Sequence, residues 1–237
     1  PNKKIHYDNE YETDYKFYYN ETPVINTTEH GKVGIVNLSH NICFWNRCKF
    51  CGVVESYRKG FYLSISNIIP KIRKSYENGI KTFYFYDNAI TLSHLKKLLT
   101  KLSDLKDIQF IFFGIKANKN FTELNDILKD FNTNPIFRVS IGLEFYSQEI
   151  LDIYDKGVDL EDINTTVDFF YNIGTEVGLS ILFSLPLVEH KHVDFFENWI
   201  KDNIHKTYEL GNSVLRLKDN VKIFENTHIF GIKIIGN

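Results

Sequence analysis

Three cysteines fall within nine residues, in the run Cys43-Phe-Trp-Asn-Arg-Cys48-Lys-Phe-Cys51. Neighbours this close make poor disulfide partners, because a bridge between them would close a small strained loop. Thiolates converging at short spacing suit a soft metal or an iron–sulfur cluster instead. Three ligands, rather than four, leave one iron of a cuboidal 4Fe–4S cluster open to bind something else. Two other readings stand beside this one. With His40 the pattern becomes His-x2-Cys-x4-Cys-x2-Cys, a Cys3His zinc set that would stabilise a non-catalytic binding domain. Structural zinc motifs usually pin distant segments through two separated ligand pairs, and the sequence has no second pair. Cys48 and Cys51 could also form a redox pair, but the thioredoxin-like pattern expected around one is missing.

The elements that must position these thiols follow from apolar patterning. Lys32–Leu38 reads as a strand running straight into the cysteine loop. Ser66 is placed to cap a helix through about Asn78, with Pro70 near its first turn and Gly79 as its stop. A strand at Thr82–Tyr86, a helix at Leu92–Leu102 and a strand at Ile108–Ile115 follow. Thr122 caps a further helix, and Ile136–Leu143 is a strand ending at Glu144. Ile163, Val167, Phe170 and Tyr171 mark a helix that Gly174 closes, before a strand at Val177–Leu185. A helix at Val193–Ile200 and a sixth strand at Val214–Leu217 complete the alternation. Such an order implies right-handed crossovers and a parallel sheet covered on both faces. A full eight-fold barrel takes about 250 residues, so the expected fold is α/β, an open partial (β/α)6 barrel. Residues 1–32 are polar and Tyr-rich and read as a leader; residues 33–237 form the barrel with a C-terminal extension.

Ligands gather at the carboxyl ends of strands in such folds. The first strand feeds the cysteine loop, the second ends at Asp87 and the fourth at Glu144, so thiols and two carboxylates share one rim. A hydrolytic barrel would use Asp87 and Glu144 as an acid/base pair without iron. Taken singly, either carboxylate also reads as a helix cap or a loop residue.

Composition sets outer bounds. In 237 residues, 43% are hydrophobic and 24% charged, which excludes intrinsic disorder. Lys and Arg number 28 against 30 Asp and Glu, so the basic excess of a phosphate-gripping chain is lacking and nucleic acid is not the expected partner. Apolar runs are shorter than the roughly 20 residues of a membrane span, and no signal peptide opens the sequence. The chain reads as cytoplasmic. It starts at Pro1 and has no Met, which fits a segment of a longer protein.

These residues resemble the radical S-adenosylmethionine enzymes. The usual signature is Cys-x3-Cys-x2-Cys with an aromatic before the last cysteine, the place of Phe50. The longer first gap is similar to a Cys-Tyr-Trp-Gly-x-Cys-x-Phe-Cys variant in enzymes that often carry a cobalamin-binding domain. Phe85-Tyr-Asp-Asn88 resembles that class's Phe-x-Asp-Asp segment. Gly142-Leu-Glu144-Phe-Tyr-Ser147, then Lys156-Gly157, resembles its Gly-x-Glu-Ser-x-Ser…Lys-Gly run. The chain departs from the class at Asn41-Ile42, Phe145, Tyr146 and Ser184-Leu185-Pro186. The resemblance implies that Cys43, Cys48 and Cys51 hold a 4Fe–4S cluster whose open iron binds S-adenosylmethionine. It places Asp87 near the methionyl ammonium, Glu144 on the ribose and the Phe50 backbone beside the adenine. Lys156 would pair with the methionyl carboxylate, or stand as a solvated loop lysine. His190, Lys191 and His192 form a basic cluster or an exposed loop. The implied chemistry is reductive cleavage of S-adenosylmethionine to a 5′-deoxyadenosyl radical acting on a peptide or small molecule. A flavodoxin- or ferredoxin-type electron donor is implied too, and any cobalamin-binding domain would lie upstream of Pro1.

Overall fold

The computed structural model describes residues 22–40, 43–52, 61–217 and 221–233. Most of the expected leader, Asn41-Ile42, the His40 side chain and the last four residues lie outside them.

A seven-stranded sheet carries the fold, its strands side by side in chain order. The first, β1 (Val24–Thr27), is antiparallel to β2 (Gly31–Val36). Then β3 (Thr82–Ile90), β4 (Gln109–Ile115), β5 (Ile136–Glu144), β6 (Glu176–Phe183) and β7 (Glu209–Val214) add in parallel. Because every strand joins on the same side, the order never reverses and the sheet curls into an open half-barrel. The six parallel strands, β2 to β7, are the expected partial (β/α)6 barrel.

Helices cover the outer face. They are α1 (Ile65–Glu77), α2 (Leu92–Leu102), α3 (Gln148–Ile153), α4 (Leu160–Asn172) and α5 (His190–Asn203). Under them, Phe83 and Phe85 of β3 and Phe110 and Phe112 of β4 are fully buried against Ile72, Leu95, Leu98 and Leu99. At about 2 kcal/mol per buried side chain this layer dominates the stability. Caps set the helix starts: the Thr91 side chain accepts from His94 N–H at 3.1 Å, and Asp159 and Asp162 form a reciprocal capping box.

Four expectations change. Part of the expected leader is the edge strand β1. Ser64, not Ser66, caps α1, and Pro70 sits inside that helix rather than in its first turn. Between β4 and β5 the chain forms a 3-10 helix, Lys119–Leu124, capped by Asn118 rather than Thr122, then a single turn at Asn125–Leu128. The last parallel strand is Glu209–Val214, upstream of the apolar run at Val214–Leu217. As an edge strand it is mostly open to solvent, so apolar patterning carries little signal there.

Candidate functional site

Strand β2 leads the chain to the carboxyl rim, where the cysteine loop begins. Asp87 holds the root of that loop from below. It is 6% exposed, and its carboxylate accepts from Ser39 N–H at 2.6 Å, Ser39 Oγ at 2.7 Å and Leu38 N–H at 3.1 Å. Burial pushes its pKa up to about 6, against the downward pull of those hydrogen bonds.

The loop is clamped from the far side by the segment that follows α3. Trp45 Nε1 donates to the Asp155 carbonyl at 2.6 Å, Lys49 N–H to the Tyr154 carbonyl at 2.9 Å and Lys49 Nζ to the Ile153 carbonyl at 2.6 Å. Arg47 pairs with the Asp155 carboxylate at 3.0 Å. The Trp45 ring lies directly on Gly157, where a Cβ would occupy the space of the ring, and the positive φ of 63° also asks for glycine. Behind the loop, the Phe50 ring packs 6.0 Å from Tyr154.

Cys43 and Cys48 open into a rim cavity of about 210 Å³ that Glu144, Lys156 and Lys116 also line. The Cys51 N–H donates to the Cys48 carbonyl at 3.2 Å, a tight turn that keeps the third thiol beside the second. Burial raises the Cys48 thiol to about 11, Lys156 pulls it down, and the neighbouring thiols and Glu144 push it up. Among the described residues no three His, Cys, Asp or Glu side chains stand at closed metal-ligand geometry. Metal bonds normally complete such convergence as they replace thiol protons. One short loop with three thiols, facing two lysines that favour thiolate, fits a cluster held by three cysteines.

Lys156 is 8% exposed and donates to Glu144 Oε1 at 2.9 Å, so it is not a solvated loop lysine. Burial pulls its pKa down, but Glu144 together with Cys48 and Cys51 more than offsets that, so the net shift is upward. A side chain at Gly142 would crowd both partners, with a Cβ 3.0 Å from Lys156 Nζ. Glu144 itself sits at a positive φ of 64°, a backbone state that non-glycine residues seldom adopt away from functional sites.

The sequence reading missed Lys116. It stands at the carboxyl end of β4, donates to the Gly157 carbonyl and lies 4.4 Å from the centre of the Trp45 ring. Burial lowers it to about 8, with Lys156 adding to the shift. The signal was available, since Lys116 ends the apolar run Phe110–Ile115 much as Asp87 ends Thr82–Tyr86. Outside the cavity lining, the supposed basic cluster is the start of α5. His192 is buried, accepts from Glu189 N–H at 3.0 Å and meets Glu149 at 2.9 Å.

The half-barrel places the chain among open parallel α/β folds, whose ligands gather at the carboxyl ends of the strands. Within that class, residues 38–197 match the family described as the Radical SAM superfamily. The chain belongs to that superfamily and is a radical S-adenosylmethionine enzyme. No curated protein matches it. Among solved structures it is similar to the radical S-adenosylmethionine methyltransferase TsrM from Kitasatospora setae, with cobalamin and a 4Fe–4S cluster bound. That match has a TM-score of 0.66 and 16% identity, covering 81% of this chain and 36% of that one. The cobalamin-dependent S-adenosylmethionine radical enzyme OxsB matches at a TM-score of 0.56 and 15% identity, over 83% of this chain and 30% of that one. Coproporphyrinogen III oxidase from Escherichia coli, described as a radical SAM enzyme, matches at 0.50 and 14%, over 94% and 56%. The chain thus spans about a third of the first two structures. At such identities these likenesses speak for the fold. No described helix is long and apolar enough to cross a membrane.

Proposed function

We propose that this chain is the catalytic core of a radical S-adenosylmethionine enzyme, with a 4Fe–4S cluster on Cys43, Cys48 and Cys51 and the cofactor in the rim cavity. One observation carries the reading: the clamp at Asp155–Gly157 holds the cysteine loop so that two thiols open into the same cavity as Glu144, Lys156 and Lys116. Bound there, the cluster would supply the electron that breaks a carbon–sulfur bond of S-adenosylmethionine, giving methionine and a 5′-deoxyadenosyl radical.

The protein's own contribution is position and field. Lys156 spends one hydrogen bond on Glu144 Oε1 and, as an ammonium with three donors, keeps others for the methionyl carboxylate. Glu144, fixed by that pair, offers its second oxygen to ribose hydroxyls. The Phe50 backbone borders the adenine, with its ring anchored on Tyr154. Asp87 acts from beneath, fixing Leu38 and Ser39 at the loop's root while adding negative charge on the side of the methionyl ammonium. The hydrolytic reading is disfavoured by the same contacts, since Asp87 is turned into the loop and Glu144 is paired with a buried lysine.

The substrate is a peptide or small molecule, and an electron donor of the flavodoxin or ferredoxin type serves the cluster. Similarity to two enzymes described with cobalamin supports a cobalamin-dependent methyltransferase reaction, with cobalamin held outside this chain. The test is anaerobic reconstitution with iron and sulfide, then S-adenosylmethionine and a strong reductant. We expect 5′-deoxyadenosine from the wild type and none from Cys51→Ala. A colourless protein that binds one zinc and never cleaves the cofactor would refute the proposal.

A further inference from the structure

The inner face of a half-barrel is where a substrate would meet the rim, and on this chain it is unusually aromatic. Tyr84 and Tyr86 alternate with the buried Phe85 along β3, on the same face as Asn88, which lines the cavity. Phe113 pairs with Tyr86 in the β3–β4 register. The Phe113 ring lies 4.9 Å from Tyr84, nearly parallel, and 5.7 Å from Tyr86. Together they make an aromatic shelf two residues below the rim, with the Tyr86 ring tilted 54° from Phe113.

Tyr86 is 66% exposed, although β3 is flanked by β2 and β4 in the interior of the sheet. Parallel sheets are normally covered on both faces. A tyrosine left open there leaves favourable burial unrealised, at roughly 25 cal/mol per Å² of apolar surface. Below the shelf, Arg138 is paired with Glu176 at 2.6 Å and Glu29 at 2.8 Å, so that ion cluster is satisfied internally. Beside it, Val139 pairs with Phe112, which puts Ser140 at the level of Phe113. Ser140 Oγ lies 3.4 Å from Ser180 Oγ, a long contact that leaves both hydroxyls able to bond elsewhere.

Resting on the proposed function above, we infer that the substrate presents an uncharged aromatic ring with a polar edge. The ring stacks on the exposed Tyr86 beside Phe113, and its edge N–H or oxygen reaches Ser140 and Ser180. Both serines line the cofactor's cavity, so that substrate and cofactor meet there. An aromatic ring can stack on one of these tilted rings and meet the other edge to face, which a saturated ring of equal bulk cannot. The paired Arg138–Glu176–Glu29 cluster offers no counter-charge to a charged ring.

Equilibrium dialysis of the reconstituted protein, without reductant, tests this. The probes are L-tryptophan and the peptide Gly-Trp-Gly, with L-cyclohexylalanine as the saturated control. We expect at least one tryptophan probe to bind and the control to bind about tenfold more weakly. Tyr86→Ala should weaken the probe about tenfold and Tyr86→Phe by less than about threefold, with unfolding midpoints unchanged because the side chain is exposed. Three results would overturn the inference: neither probe binds, the saturated control binds equally well, or Tyr86→Ala binds like wild type. Displacement of the probe by S-adenosylmethionine would give the shelf to the cofactor's adenine and overturn it too. Deoxyadenosine formation without ring preference sinks only this inference, whereas ring-selective binding without cofactor cleavage sinks only the cofactor reading.

Discussion

The two ends of the half-barrel use the same charges in different ways. At the amino end, Arg138 is 13% exposed and serves two carboxylates, Glu176 and Glu29, with its guanidinium 4.2 Å from the Tyr208 ring centre. In the cavity at the carboxyl rim, two lysines face one carboxylate and two thiols, and only Lys156 has an acid partner among the described residues. The amino end is complete as it stands, and it joins the turn before β2 to β5 and β6. The cavity lining sets two lysines against one carboxylate, which suits anions that are not part of the chain. Charge closed on itself stabilises a fold, whereas charge left open at a clamped loop is what a binding site requires.

The largest break in this comparison should come from glycine. Gly157 and Gly174 both have left-handed φ, 63° and 77°, but a Cβ at Gly157 strikes the Trp45 ring and one at Gly174 meets nothing within 4 Å. Gly174→Ala should therefore cost only the backbone strain, about 1 kcal/mol in urea unfolding. Gly157→Ala adds overpacking against a ring pinned by Asp155, for a total of about 2–4 kcal/mol. It should also lower the iron retained on reconstitution. Equal losses for the two variants would show that the clamp does not hold the loop.

Methionine replacements of the two buried cations come next. Lys156→Met strands Glu144 inside the cavity, and about 2–3 kcal/mol of stability should go with it. Cofactor cleavage should fall as well. Arg138→Met strands carboxylates that are partly solvated, and about 1–2 kcal/mol is expected. Deoxyadenosine formation should stay within about twofold, because that end lies away from the rim. If Arg138→Met abolished cleavage while the protein stayed folded, the division between a stabilising end and a working end would be wrong.

The sequence shows one half of this division better than the other. The apolar strands, the cysteine spacing and Glu144 at its strand end were readable because burial and metal chemistry leave local patterns. Asp87, expected to end its strand, instead lies inside β3, which runs on to Ile90. Helix α2 matches its expected Leu92–Leu102 bounds, since Thr91 and the leucine face mark it sharply. What stayed hidden was tertiary. Trp45 on Gly157, and Lys116 over Trp45, join segments from three loops, and no spacing rule connects them. The edge strand Glu209–Val214 was shifted because its faces are half solvent and select little apolar character. Lys156 reads as a loop lysine by sequence, and the return of the chain after α3 to the end of β5 buries it against Glu144.

The smallest effect should be electrostatic, and it separates a carboxylate held by neutral donors from those held by an arginine. Among the described residues Asp87 accepts from Leu38 N–H, Ser39 N–H and Ser39 Oγ, and burial lifts its pKa to about 6 from an ordinary 3.8. A folded-state pKa above the unfolded value means that the native state binds the proton more tightly. The stability this contributes is complete below about pH 3.8 and is lost as pH rises through about 6. Other carboxylates titrate in the same range, so the quantity to follow is the difference in urea midpoint between wild type and Asp87→Asn. Asparagine has no such proton and turns an amide donor towards backbone N–H groups, a penalty that does not vary with pH. The wild type's advantage should therefore be greatest near pH 4 and shrink steadily towards pH 7. A difference that stayed flat would mean that Asp87 ionises as freely in the folded chain as in the unfolded one. The root of the cysteine loop would then be a solvated turn rather than the buried hinge on which the rim is built.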